Sequence, residues 1–202
     1  MAGKYKPRDH LHQKAKAEGY RSRASYKLIE LDQKYRLLKP GAKVLDLGAW
    51  PGGWLQVAAS KVGKSGVVVG IDLVEIEDLK LPQVKTFTGD IRDEEVLSSA
   101  LEHGQGGFDL VLSDMSAKLT GIREVDNLAS IGLVEMALYI CGQALLPGGH
   151  FVAKVFKSNE AEQFVKNSRA LFNKLNRAEL SSSRKTSNEY YVVGVGFKGK
   201  TE

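Results

Sequence analysis

Val44-Leu45-Asp46-Leu47-Gly48-Ala49-Trp50-Pro51-Gly52-Gly53-Trp54 is an apolar run that ends in an acid and passes through a glycine-rich turn. The run predicts a buried strand, the turn a backbone that can approach a ligand closely, and Trp54 to Val62 a helix. Together they read as the first strand and nucleotide-binding loop of an α/β domain. The spacing is neither GxGxxG nor GxxxxGK(S/T), so a dinucleotide or a nucleoside triphosphate is disfavoured. An adenosine cofactor without a pyrophosphate fits better. A plain glycine turn joining strand to helix is the simpler alternative for such a loop seen alone.

Working outward, Ser22 to Leu38 has helical spacing and is stopped by Lys39-Pro40-Gly41. Beyond the loop, strands are expected at Gly66–Asp72, Val84–Thr88, Phe108–Ser113 and His150–Phe156, with a short one near Arg177–Leu180 and a last one at Tyr190–Phe197. Helices are expected at Asp93–Glu102, Asp126–Leu146 and Glu160–Leu175, and a short one at His10–Ala17. Strands alternating with helices of this length imply a mainly parallel sheet covered on both faces.

Ligands of such sheets bind outside the carboxyl ends of the strands. Asp46, Asp72, Asp90 and Asp114 close four successive strands, and four acids on one edge favour a shared site over four unrelated turns. Asp72 is placed to accept bonds from ribose hydroxyls, and Asp90 from an exocyclic adenine amine. A negative centre of this kind also attracts a sulfonium cation. Lys154 interrupts the apolar strand Phe151–Phe156, where it either reaches out to the sheet edge or is held at the site. If the last strand runs antiparallel to the others, Glu189 faces Asp114 and Lys154.

Length and composition set the frame. The 202 residues suit one domain with a full core, and 43% hydrophobic against 26% charged residues is ordinary for a globular chain. No uninterrupted apolar run approaches the roughly 20 residues of a membrane span. No secretory signal is visible, so a cytoplasmic location and no membrane partner are expected. Cys141 is a single cysteine in an apolar helical pattern, read as a buried structural thiol. His10, His12, His103 and His150 are dispersed, which argues against a metal site.

The net charge of +5 is divided unevenly along the chain. Residues 1–43 hold 12 Lys/Arg against 4 Asp/Glu, residues 44–153 hold 7 against 15, and residues 154–202 hold 10 against 5. Residues 1–20 are expected to be a flexible basic tail and 21–202 a single catalytic domain. Lys4, Lys6, Arg8, Lys14, Lys16, Arg21 and Arg23, with Tyr5 and Tyr20 interleaved, suit a phosphate backbone and stacking on unpaired bases. A solvated tail is the bland alternative.

The chain resembles the FtsJ/RrmJ family of S-adenosylmethionine-dependent ribose 2'-O-methyltransferases along nearly its whole length. The resemblance is carried by Ser22-Arg23-Ala24-Ser25-Tyr26-Lys27-Leu28, the loop Asp46–Trp54, Ser113-Asp114-Met115, Val152-Ala153-Lys154-Val155-Phe156 and Ser187-Asn188-Glu189-Tyr190. It implies a Rossmann-like class I methyltransferase fold: a mainly parallel seven-stranded sheet, an antiparallel last strand and helices on both faces. It also implies a catalytic set of Lys27, Asp114, Lys154 and Glu189, and S-adenosylmethionine contacts at Gly52, Trp54, Asp72, Asp90 and Asp114. Trp50 stands where the family commonly has a small residue, and Ser116 where it often has alanine.

The implied reaction is methyl transfer to a ribose 2'-hydroxyl, with Lys154 as general base. Burial and Lys27 favour the neutral amine, whereas Asp114 and Glu189 favour the ammonium and are read as orienting groups. Lys27 is read as binding the substrate phosphate or ribose. By analogy the substrate is a uridine of large-subunit (23S) ribosomal RNA and the enzyme a monomer. The alternatives are a tRNA or mRNA-cap methyltransferase, a non-catalytic ribosome-assembly factor, and a nicotinamide-dependent oxidoreductase, the last weakened by the missing GxGxxG.

Overall fold

β1, Lys43–Leu47, is apolar on both sides of its pleat apart from Asp46, and only Lys43 escapes full burial. A strand buried on both faces belongs in the middle of a covered sheet. The computed structural model describes residues 10–184 and 187–199. Lys4, Tyr5, Lys6 and Arg8 of the expected tail lie outside them. Along the chain, β1 is preceded by α1 (His10–Ala17) and α2 (Ser25–Tyr35) and followed by α3 (Gly53–Val62), β2 (Val67–Asp72) and β3 (Val84–Thr88). Next come α4 (Glu94–His103), β4 (Phe108–Ser113), α5 (Arg123–Ala144) and β5 (Leu145–Phe156). α6 (Asn159–Ser168), a 3₁₀ turn (Arg169–Leu171), β6 (Phe172–Ala178) and β7 (Glu189–Phe197) complete the order.

The seven strands form one sheet in the order β3-β2-β1-β4-β5-β7-β6. β1 to β5 pair in parallel, and β7 runs antiparallel to both β5 and β6. Alternate residues serve opposite faces. Leu45, Val69, Val111 and Phe151 pack with α4, α5 and α6, whereas Val44, Val68, Leu110 and Val152 pack with α2 and α3. α5 is long and apolar enough to cross a bilayer by length and composition. Its apolar side, including Val134, Ala137 and Cys141, is buried in the core with the strands.

Two glycines permit the close packing at the loop. At Gly70 of β2 a Cβ would lie 2.9 Å from Leu55, so α3 rests directly on the strand. Gly48 has φ +76° and a Cβ there would lie 2.6 Å from the Met115 side chain. The chain after β1 can therefore turn tightly beneath the chain after β4. Arg21 ties this region to the segment before α2. Its guanidinium donates to the carbonyls of Pro51 (3.2 Å), Glu77 (2.6 Å) and Asp78 (3.1 Å).

The second half differs from the expected elements. α6 ends at Ser168, and the stretch expected to continue it to Leu175 is instead turn and strand. Phe172 is buried, 6.0 Å from Phe151 and 5.5 Å from Phe197 between ring centroids, and β6 pairs along β7 from Phe172 to Ala178. Pairing with a distant strand overrides the local helical spacing. β5 likewise begins at Leu145, before Pro147-Gly148-Gly149. Its pairing with β4 jumps from Phe108–Leu145 to Leu110–His150, so the expected break is an irregularity within the strand. Tyr20, read as a base-stacking ring, is half-buried and packs edge-on against Tyr26 at 5.9 Å.

Candidate active site

Because β7 is antiparallel, its first residue lies at the edge where the parallel strands end. In register, Glu189 sits opposite Phe156 and Tyr191 opposite Lys154. α2 supplies Lys27 from above this edge, and the turn after β4 supplies Asp114. Lys27 Nζ is 2.6 Å from Glu189 Oε1 and 3.9 Å from Asp114 Oδ1. Lys154 Nζ is 3.1 Å from Asp114 Oδ1 and donates to the Asp114 carbonyl at 2.7 Å. The four residues read from the sequence as one set thus form one chain of alternating charge, Lys154–Asp114–Lys27–Glu189.

Two further groups hold it, and sequence reasoning missed both. The Tyr191 hydroxyl donates to Asp114 Oδ1 at 2.7 Å, and its ring lies 5.5 Å beneath the Lys27 ammonium. Burial, with the anions Asp114 and Glu189 nearby, pushes this phenol well above its usual range, so it remains a donor. The signal was present: Tyr191 lies two residues beyond Glu189, on the same face of the strand. Ser183 donates to Glu189 Oε1 at 2.7 Å. Its loop is anchored to α2, where Glu30 accepts from the Ser181 and Ser182 amides and Arg23 donates to the Ser182 carbonyl at 2.6 Å. Burial alone would raise the Glu189 carboxyl, but Lys27, the Ser183 bond and Lys154 outweigh it and leave it below the usual range.

Beside this set opens a cleft of about 940 Å³. Gly48, Asp72, Asp90 and Asp114 all lie in its wall. The Asp72 carboxylate is fixed by two backbone amides, Trp50 N to Oδ2 at 2.8 Å and Val74 N to Oδ1 at 2.9 Å. Asp90 is engaged by Arg92, whose Nε and Nη2 lie 2.9 and 2.5 Å from its two oxygens. Those bonds lower its carboxyl to about 2. Any exocyclic amine that Asp90 accepts must share it with Arg92.

Gly52 and Trp54 stand outside the wall. Trp54 is buried, its indole N–H donating to the Ala24 carbonyl at 2.7 Å and its ring centroid 6.0 Å from that of Tyr191. Its ring packs against Tyr191, which in turn holds Asp114.

Asp46 is the anomaly of the edge. It is fully buried, and neither carboxylate oxygen has a hydrogen-bond partner among the described residues. Burial, then the like charges of Asp114 and Asp72, pushes its carboxyl well above the usual range. A carboxyl with a raised native pKa holds its proton more tightly folded than unfolded, so it withdraws stability as pH rises above the unfolded value of about 4. Asp46→Asn is therefore expected to be at least as stable as the wild type at neutral pH. Its melting temperature should gain on the wild type between pH 4 and 8, and a growing wild-type advantage over that range would refute the assignment.

A mixed seven-stranded sheet with its polar edge above a glycine loop is the architecture of a Rossmann-like methyltransferase, and the comparisons agree. A model of FtsJ-like methyltransferase matches residues 20–197, and the chain belongs to that family. It is 46% identical over 193 residues to ribosomal RNA large subunit methyltransferase E of Methanothermobacter thermautotrophicus, covering 96% of this chain and 92% of the relative. The protein of the same name from Syntrophobacter fumaroxidans is 45% identical, with 95% and 96% covered. Among solved structures, a provisionally named ribosomal RNA methyltransferase from Plasmodium falciparum superposes with a TM-score of 0.79 at 29% identity, covering 90% of this chain and all of the other. The Methanococcus jannaschii fibrillarin pre-rRNA processing protein, at 15% identity and TM-score 0.60 over 81% of this chain and 70% of its own, shares the fold.

Proposed function

We propose that this protein transfers a methyl group from S-adenosylmethionine to the 2'-hydroxyl of a ribose, a uridine in large-subunit (23S) ribosomal RNA, and works in the cytoplasm where ribosomes are. The observation that carries the reading is Lys154 held at 3.1 Å from Asp114 on the lip of the cleft, with Lys27 and Glu189 completing the chain. The names of the relatives support ribosomal RNA as substrate. The cleft fits the cofactor. Fixed carboxylates suit ribose hydroxyls and a cationic methionine end, apolar walls at Ile71, Leu73 and Ile91 suit an adenine, and the volume accepts a ligand of that size.

When bound, S-adenosylmethionine supplies an electrophilic methyl group on a sulfonium. The residues of the chain do the rest. Lys154 gives up its own proton to solvent and then takes the proton of the attacking 2'-hydroxyl, which is a poor nucleophile while it keeps that proton. Asp114 holds the Lys154 amine in place, and Tyr191 holds Asp114. Lys27, braced by Glu189, binds the ribose or the adjoining phosphate. Alignment of hydroxyl and methyl in one line supplies the remaining acceleration.

The direct test is to map 2'-O-methylation on total RNA from cells with and without this protein. Loss of one methyl mark from large-subunit ribosomal RNA is expected. Loss confined to tRNA or mRNA caps would move the substrate, and an unchanged RNA would favour a non-catalytic role. The basic N-terminal segment carries its own expectation. Removing residues 1–9 takes away Lys4, Lys6 and Arg8. For single-stranded RNA this should flatten the log–log salt dependence of binding by up to about 2, at roughly 0.7 per phosphate contact. Cofactor affinity should be unaffected.

A further inference from the structure

Trp50 is the residue of the glycine loop that the reaction leaves unused. It is 56% exposed. It does not pack beneath the loop. It lines the cleft, and its backbone N–H holds Asp72 Oδ2 at 2.8 Å. Leu73, 72% exposed, lies in the same wall, and Val74, 52% exposed, holds the other oxygen of Asp72. The carboxylate of Asp72 is thus flanked by three large apolar residues, each more than half exposed. Large apolar groups gathered at the mouth of a cleft mark a binding surface.

The charges around Trp50 select the occupant. Asp72 shares its part of the cleft and is held by backbone amides alone, so a phosphodiester would meet it with like charge. The wall also holds Lys118 and Arg92, the latter engaged by Asp90, whereas Arg23, Arg184 and Lys27 lie beside Glu189. A neutral nucleoside carrying a cationic tail fits the Trp50 side, and a polyanionic strand fits the other. We propose that the Trp50 indole stacks over the adenosine moiety of the methyl donor, closing the cleft above its ribose and base and slowing its release. This inference rests on the reading that the cleft takes S-adenosylmethionine. Stacking of an aromatic side chain on a nucleobase is tolerant of geometry and costs little ordering, because an indole has only two side-chain torsions.

The test is calorimetric titration of S-adenosylmethionine and S-adenosylhomocysteine into wild-type protein, Trp50→Ala and Trp50→Phe. Trp50→Ala is expected to weaken both ligands by about 10- to 30-fold, within the range found when a stacking side chain is truncated to alanine. Trp50→Phe should stay within about threefold of wild type, since a benzene ring still stacks. Trp50 fluorescence gives an independent readout. Ligand should quench the wild-type emission and leave that of Trp50→Phe unchanged, because the remaining Trp54 is buried away from the cleft wall. Wild-type binding matched by an equally tight Trp50→Ala would overturn the stacking and leave the methyl-donor reading intact. Unchanged donor affinity with weakened RNA binding would also overturn it, assigning the indole to the substrate. Failure of the wild-type protein to bind either ligand would remove the methyl-donor reading and this inference with it.

Discussion

Lys154→Ala is expected to reduce methyl transfer by about 10²–10⁴-fold, the usual contribution of a positioned general base. Cofactor affinity should change little, because Lys154 is absent from the cleft wall. Its amine is nearly enclosed and directed at both the carboxylate and the carbonyl of Asp114. Truncation leaves Asp114 with the Tyr191 hydroxyl and the more distant Lys27, so the acid remains anchored while the proposed proton acceptor is gone. Single-turnover rates and equilibrium binding separate the two effects. Activity within twofold of wild type would eliminate Lys154 as the base. Lys154→Arg serves as a control, since a guanidinium keeps the charge and does not take up a proton.

Asp114→Asn should give the second large effect, and of a different kind. The amide keeps the shape of the carboxylate but removes the charge that draws Lys154 to 3.1 Å and Lys27 to 3.9 Å. Two ammonium groups are then left with one anion, Glu189, between them. Their displacement by about 1 Å is enough to cost about 10²-fold in rate. Asp114 also lines the cleft, so donor affinity is expected to fall along with rate, which distinguishes it from Lys154. The melting temperature should fall as well, because breaking a largely buried ion pair leaves a charge uncompensated. Loss of rate with donor affinity and stability both unchanged would contradict this placement.

Much of this site was legible because its signals are local. The run Val44–Leu47 names its own strand, the acids at 72, 90 and 114 end theirs, and Lys154 is conspicuous for interrupting an apolar one. The position of Glu189 depended on a single topological assumption, the antiparallel β7, which the sheet bears out. What escaped notice was long-range. Tyr191 reads as one more apolar strand residue until β5 is laid beside it, and Ser183 sits in a loop positioned by Glu30 from the other end of the chain. Trp54 follows the loop that approaches ligands, yet it sits in the first turn of α3 with its ring buried and its N–H donating to the Ala24 carbonyl. The first part of β6, up to Leu175, could not be told from helix because the alternation of the strand buries little besides Phe172 and Ala178, while Asn173, Lys174 and Arg177 remain outside. The Arg92 clamp on Asp90 spans only two residues, but no spacing rule announces it.

The place of β7, inserted between β5 and β6 though it comes last in the chain, bears on how the protein is made. Every residue in the wall of the cleft has been synthesised once Met136 is added, whereas Glu189 and Tyr191 follow later in the chain. Until they arrive, β5, which carries Lys154, pairs with β4 alone and its other edge is open. A nascent chain that stops short of β7 carries every residue of the cleft wall and lacks Glu189 and Tyr191. β7 thus adds these two to an edge whose other members, Lys27, Asp114 and Lys154, all precede it in the chain.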